Sequence, residues 1–309
     1  MSLLIGGSSS NMGTLASQKD SKVPKRPHPV RLLWEQIYQS KSALIGFMIV
    51  VFVFLLIAFG SFLYDYSPTK MNIAEALRPP SPAHLFGTDS MGRDVFTRII
   101  YGTRISLFMS FSGILLAALI GVVIGLISGY YGGVADNLLM RVSDFLFAFP
   151  SYVLALFLMV ILGFGIQNVL FAICLVYVPI FSRLMRGMTQ LIKAEQFVEA
   201  NITLGMSDVK IMFLEILPNA VSPIIVQGTI GIAFAVVLEA GLSFLGLGVQ
   251  PPTPSLGIIL ADGKEFLRMA PWIVGMTGAM ITVMLLGFNL LGDGVRDYLD
   301  PKLAREIRR

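Results

Sequence analysis

Two acidic side chains, Asp144 and Glu239, stand inside long apolar stretches and offer the first chemistry in this sequence. A carboxylate in lipid is costly unless it faces water, a partner group or a helix end, so both are candidates for lining a translocation path. A boundary position or a hydrogen bond in helix packing satisfies either one as well. Tyr152 joins Phe145, Phe147 and Phe149 in an aromatic cluster that lines such a path or meets lipid. The residues of hydrolytic or metal chemistry are scarce. His28 and His84 lie far apart and Cys174 is the single cysteine, so no disulfide, metal site or His-centred acid–base pair is expected. A phosphate-binding Gly-x-x-x-x-Gly-Lys-Ser/Thr run is also missing: the string around Gly263 and Lys264 lacks the hydroxyl residue and the glycine spacing. No catalytic residue, metal or cofactor is therefore assigned to this chain, and it is not read as an enzyme.

Two polar segments carry denser patterns. In the stretch 193–218, Glu199 and Ala200 precede Gly205, and Leu217 and Pro218 close the segment. It reads as two short helices broken at Gly205, where glycine permits the backbone turn. Ser207 or Asp208 is placed to cap the second helix, and Pro218, lacking an amide proton, is placed to start or kink the next span. A pair too short to cross a bilayer and too apolar for a plain linker is shaped to lie on the membrane surface and dock a partner. The other segment holds Gly87, Thr88, Asp89, Gly92, Arg93 and Asp94. It either touches an outside partner or fastens its own loop.

Hydrophobic residues make up 55% of the 309, charged residues only 14%, and the mean hydropathy of +0.77 lies far above that of soluble domains. A spanning helix needs about 20 apolar residues. Six stretches are expected to cross: 42–63, 106–130, 142–162, 166–182, 221–245 and 270–291, the fourth being the shortest. Continuous rather than alternating apolar runs select helices over a barrel, giving an all-α polytopic membrane protein. Gly121, Gly125 and Gly129 recur every four residues on one face, a pattern for close helix packing. Pro150 and Pro179 mark a kink or a gate within the third and fourth spans.

Orientation follows the Lys and Arg residues, which are retained on the cytoplasmic side. With both termini inside, inner segments hold sixteen of them and outer loops seven. The expected organisation is a cytoplasmic tail (1–41), a first span (42–63), an extracytoplasmic loop (64–105), a five-span core (106–291) and a second cytoplasmic tail (292–309). The first forty residues hold no apolar core of signal-peptide length, and their low-complexity opening is expected to be flexible. The excess of positive charge is explained by topology, since no basic stripe with interleaved aromatics suggests nucleic acid.

Glu199, Ala200, Gly205, Leu217 and Pro218 match a signature loop: Glu-Ala-Ala, three residues, Gly, nine residues, Ile, any residue, Leu-Pro. Asn201 replaces its second alanine and Glu215 its isoleucine. On this loop the chain resembles the permeases of bacterial ABC importers. His84–Val95 with Gly-Thr-Asp-x-x-Gly-Arg-Asp, Leu242–Pro252 and Asn289–Pro301 make it similar to the dipeptide, oligopeptide and nickel permease group. The resemblance implies a type I importer transmembrane domain in a bacterial inner membrane, with the loop as the coupling helix seated in a groove of an ATPase subunit. It further implies two ABC ATPases that bind ATP and Mg, a homologous second permease and an extracytoplasmic solute-binding protein. Peptides are the expected cargo. A nickel chelate, glutathione or an opine-like compound is the alternative. A stand-alone secondary transporter needs coupling-ion residues in several spans and internal repeats, and a membrane-embedded enzyme needs clustered His, Asp or Cys; neither pattern occurs.

Overall fold

A computed structural model describes residues 41–63 and 66–299, with side chains described for 41–60 and 66–296. Apart from Lys41, the tail expected at 1–41 lies outside the described residues, as does the segment 300–309. The described chain forms α1 (Lys41–Leu63), α2 (Val95–Tyr131), α3 (Gly133–Phe147), α4 (Ser151–Leu162), α5 (Ile166–Lys193), α6 (Gln196–Thr203), α7 (Asp208–Phe244), α8 (Leu256–Lys264) and α9 (Pro271–Leu299). Five of these, α1, α2, α5, α7 and α9, are long and apolar enough to cross a membrane, and the bent α3–α4 pair makes a sixth when counted as one span.

Five expected limits are corrected. The second span, expected over 106–130 after a loop ending at 105, begins at Val95, where Asp94 caps the helix by accepting from the Thr97 amide, and the sixth, expected to end at 291, runs on to Leu299. The third span, expected as one helix over 142–162, is instead two helices meeting at 91°. Pro150 carries no amide proton and disfavours helix at Phe149, so the chain turns there, with Pro150 extended at ψ 131° ahead of α4. The fourth span, expected to end at 182, runs on to Lys193 because its terminal charges are satisfied by neighbouring helices. Arg183 pairs with Asp144, Arg186 pairs with Asp136, and the Lys193 ammonium donates to the Tyr130 carbonyl at 2.6 Å. The fifth begins at Asp208 rather than 221. Its residues Ile211–Ile216 are π-helical, and the Leu217 amide reaches back five residues to the Met212 carbonyl just before Pro218. That wider turn carries the helix past a proline that would otherwise interrupt it.

Packing depends on small residues. The most extensive interhelical contact joins α2 to α5. A Cβ added to Gly121 would lie 2.8 Å from the Val178 carbonyl oxygen, to Gly125 2.5 Å from that of Ser182, and to Gly129 2.7 Å from that of Arg186. The expected glycine stripe is therefore a seam of direct backbone contact. Gly113, against Ile173, extends it by two turns. A second seam joins α1 to α9, where Gly46 lies on the Leu291 backbone and Gly294 on Ala43. In lipid, where apolar burial alone does not drive helices together, such close approach supplies the dispersion contacts that do.

Gly125→Ala is expected to lower the thermal midpoint of the solubilised protein, because overpacking of a tight contact costs about 1–3 kcal/mol. Gly187→Ala, whose Cβ meets nothing within 4 Å, is expected to be neutral or stabilising. Thermal unfolding of both variants side by side measures the difference in sign.

Candidate coupling surface and translocation clefts

The segment 193–218 is a rigid bracket at one end of the bundle. Helix α6 ends in a closed turn: the Gly205 amide donates to the Ile202 carbonyl and the Met206 amide to that of Asn201, each at 3.0 Å. This pairing needs a left-handed residue, and Gly205 supplies it at φ +82°. Open space surrounds its Cβ position, so the dihedral rather than crowding calls for glycine there. Asn201 takes part through its carbonyl, a role its side chain does not affect. Ser207 occupies the capping position of α7, but its side chain makes no capping bond. Asp208 is committed elsewhere, accepting a 2.8 Å hydrogen bond from the Tyr130 hydroxyl at the end of α2.

Beneath the bracket lies a separate apolar core that includes Leu126, Tyr130, Met185, Ile192, Val198 and Ile211, with Leu217 packed against it. Val198 is the one buried residue of α6. Lys193 lies 4.7 Å above the Tyr130 ring, and Arg186 grips Asp136 through two bonds of 2.5 and 2.6 Å. Thus the bracket is tied to the ends of α2 and α5, and α5 is in turn tied to α3. Its outward side is unusually apolar: Leu204 is 83% exposed, and Phe197, Ile202, Val209, Phe213 and Leu214 are exposed around it. Glu199, Ala200 and Pro218 are exposed as well, and the Glu199 carboxylate bonds to no described residue.

At the opposite end of α2 the six outer-motif residues form a fastening. Asp89, 1% exposed, accepts from the Met91 and Arg93 amides, from Arg93 Nε at 2.7 Å and from Arg98 Nη1. The same two arginines donate to Asp262 Oδ2, each at 3.1 Å. Asp94 caps α2 through the Thr97 amide and bonds His84 Nδ1 at 2.9 Å. Thr88 accepts from the Arg78 amide and donates to the Glu75 carbonyl. Gly87 and Gly92 turn at positive φ, and a Cβ on Gly92 would overlap the Asn72 carbonyl oxygen at 1.8 Å. With Thr88, Asp89, Arg93 and Asp94 all buried, their polar atoms are spent within the chain, and the geometry supports fastening over partner contact. Asp262 and Arg98 stand outside the motif His84–Val95; Asp262 is separated from Arg93 by 169 positions, which no local pattern reveals.

The three path candidates part company. Asp144 is exposed and bonds Arg183 at 2.6 Å in a polar cavity of about 630 Å³, which Asp136, Arg141 and Arg186 also line. Arg183 in turn lies 4.1 Å above the Phe147 ring, which borders a second cleft at the α3–α4 bend. Tyr152 lies over Gly241 and lines a third cleft, of about 450 Å³, between α4, α5 and α7. The second and third clefts share Ser151, so all three follow the broken span. Glu239 lies apart from them. It is completely buried, with Oε1 accepting from Ser243 Oγ at 2.7 Å and Oε2 unpartnered.

Residues 121–305 match the family model described as binding-protein-dependent transport system inner membrane component. The chain belongs to that family. Residues 28–80 also match the N-terminal transmembrane domain of oligopeptide transport permease C. Among relatives, the dipeptide transport system permease protein DppC of Alkalihalophilus pseudofirmus is 44% identical, over 89% of this chain and 90% of its own. The glutathione transport system permease protein GsiD of Pectobacterium atrosepticum is 39% identical, over 89% and 92%. Among solved structures, the inward-facing MetNI methionine ABC transporter gives a TM-score of 0.51 at 19% identity, covering 64% of this chain and 94% of that one. The permease shares that fold, and it is a multi-pass inner membrane protein.

Removing Asp89 leaves two buried arginines with only the part-exposed Asp262 as a shared acceptor, and breaking a buried pair in this way costs about 3–5 kcal/mol. Asp89→Ala is therefore expected to sharply reduce the folded permease recovered from membranes, while Ser90→Ala, outside the network, is expected to leave it unchanged; size-exclusion yield measures both.

Proposed function

We propose that this permease carries di- or oligopeptides into the cell as the membrane half of an importer driven by separate ATPase subunits, which bind the ATP and Mg. The observation that carries the reading is the bracket of α6 and the start of α7, apolar on its outward side and bound on its inward side to α2 and α5. Solvated apolar patches of this kind mark docking surfaces. A motor seated there pushes on elements that cannot yield separately. Asp208 passes its displacement to Tyr130, Val198 to the buried core beneath, and α7 continues unbroken from the bracket into the membrane. Rigid-body motion of this sort converts closure of a nucleotide-binding dimer into alternating access.

The bracket then lies in the cytoplasm together with both termini, as the Lys and Arg distribution supports. The clefts along α3–α4 supply the path, with Asp144 and Tyr152 on its wall, and Glu239 acts in helix packing instead. The remaining partners in this reading are a homologous second permease and an extracytoplasmic solute-binding protein. The peptide cargo rests on relatives named for dipeptide transport, and the glutathione relative supports a small γ-linked peptide as a second reading.

In vesicles holding the complete transporter, Glu199→Ala and Leu204→Asp are expected to lower transport about thirtyfold, the factor that corresponds to an interface hot spot of about 2 kcal/mol. The ATPase subunits are expected still to copurify with Glu199→Ala. Undiminished transport in both variants would overturn the bracket's role. Val209→Cys in a Cys174→Ala background, with the ATPase subunits absent so that this face is open, is expected to react with an impermeant thiol reagent in inside-out vesicles but not in intact cells.

A further inference from the structure

We infer that the cleft between α4, α5 and α7 is a subsite that reads the backbone amide of the passing substrate, with Gln227 and Tyr177 as its recognition groups and Tyr152 at its edge. The inference rests on the peptide-permease reading above and specifies how cargo is held within the path.

One face of α7 builds the cleft: Gln227, Gly231, Phe234 and Leu238 follow one another at helical spacing, and Tyr152 crosses the same face at Gly241. Most of the wall is apolar, and against it the polar groups stand out. Tyr177 is 8% exposed and lines the cleft, and its hydroxyl bonds to no described residue. Neither the Gln227 amide nor the Tyr152 hydroxyl has a described side-chain partner. Polar groups in a membrane-spanning bundle are normally hydrogen-bonded within it, because lipid offers no substitute for water. Two hydroxyls and one amide, all unpartnered and all on one cavity, therefore point to an occupant that carries hydrogen-bonding groups.

The geometry selects the occupant's chemistry. A primary amide presents a donor and an acceptor side by side, the complement of the C=O and N–H of a peptide bond, and a phenol can donate or accept. Charge is missing from the wall, so neither terminus of a peptide is recognised here. Ile180, Ile230 and Phe234 surround the polar groups with apolar surface that accepts side chains without specifying them. A volume near 450 Å³ lies within the range of roughly 300–1,000 Å³ common to small-molecule sites. Reading the backbone while tolerating the side chain allows one path to pass many sequences.

The test uses the complete transporter in vesicles, with the binding protein saturated by L-alanyl-L-alanine or by L-alanyl-L-lactate, the ester that lacks the N–H. Substrate moved per ATP hydrolysed is the readout. Loss of one neutral hydrogen bond corresponds to about a two- to tenfold effect, so the intact transporter is expected to favour the amide over the ester by that factor. Gln227→Leu and Tyr177→Phe are expected to shrink this preference towards one, with partial recovery in Gln227→Asn. A preference unchanged in both variants would overturn the subsite. Should the ester fail to load the binding protein, the alanylalanine yield decides: a fall of threefold or more in Gln227→Leu supports the inference and an unchanged yield overturns it.

A separate arm tests the path itself. Gln227→Cys in the Cys174→Ala background is expected to react with an impermeant maleimide, to be protected by saturating cargo and to block transport once modified. A reactive, blocking cysteine together with an unchanged amide preference removes the subsite and leaves the path. A cysteine that stays unreactive in the assembled transporter, covered by lipid or the second permease, removes both.

Discussion

The direct approach of α2 and α5 backbones sets the geometry of everything around them. Helices in lipid gain little from burying apolar side chains against one another, so their relative position rests on how closely they can pack. Gly121, Gly125 and Gly129 bring α2 against the carbonyls of Val178, Ser182 and Arg186, and any side chain there would force the helices apart. Arg186 and Lys193 follow on α5, near the end of α2, and the same approach lets Lys193 reach the Tyr130 carbonyl. Displacing the seam would therefore break the contacts that hold the bracket to α2.

Helix α2 also joins two ends with opposite tasks. Its 37 residues span roughly 55 Å at about 1.5 Å each. One end is immobilised, with Asp94 capping the helix and Arg98 locked between Asp89 and Asp262. At the other end, Tyr130 holds Asp208 and so receives whatever displaces the bracket. Fixing one end of a stiff rod and pushing near the other turns a surface displacement into a tilt through the membrane. The broken α3–α4 span bends by 91° beside all three clefts, where the proposed path would change shape.

The polar groups divide along the same lines. Buried charges in the outer fastening are paired several times over, whereas the ion pair of Asp144 and Arg183 is solvated and screened. Multiply bonded, desolvated pairs resist motion. A single exposed pair beside the α3–α4 bend can open and re-form at little cost, as the proposed path would require.

Much was legible in the sequence because the bilayer imposes strong local rules. Apolar runs of spanning length, the four-residue glycine spacing, the Gly205 break and the Glu199-to-Pro218 pattern all reside in short stretches, and each marks a real element. Span limits differ from the local expectation where a remote group accommodates a charge or where a proline acts differently from its neighbours' apolar pattern. Arg183 and Arg186 remain within a helix because Asp144 and Asp136, about fifty positions away or less, neutralise them, and Pro218 is carried by a π-turn. The outer motif was recognisable as a pattern, but its partner Asp262 was not, and Gln227 and Tyr177 gave no local sign of facing a common cavity. Periodicity and composition determine which segments cross and which side chains are costly to bury. Which costly groups are paired and which are left waiting depends on distances between remote helices, and only their packing decides that.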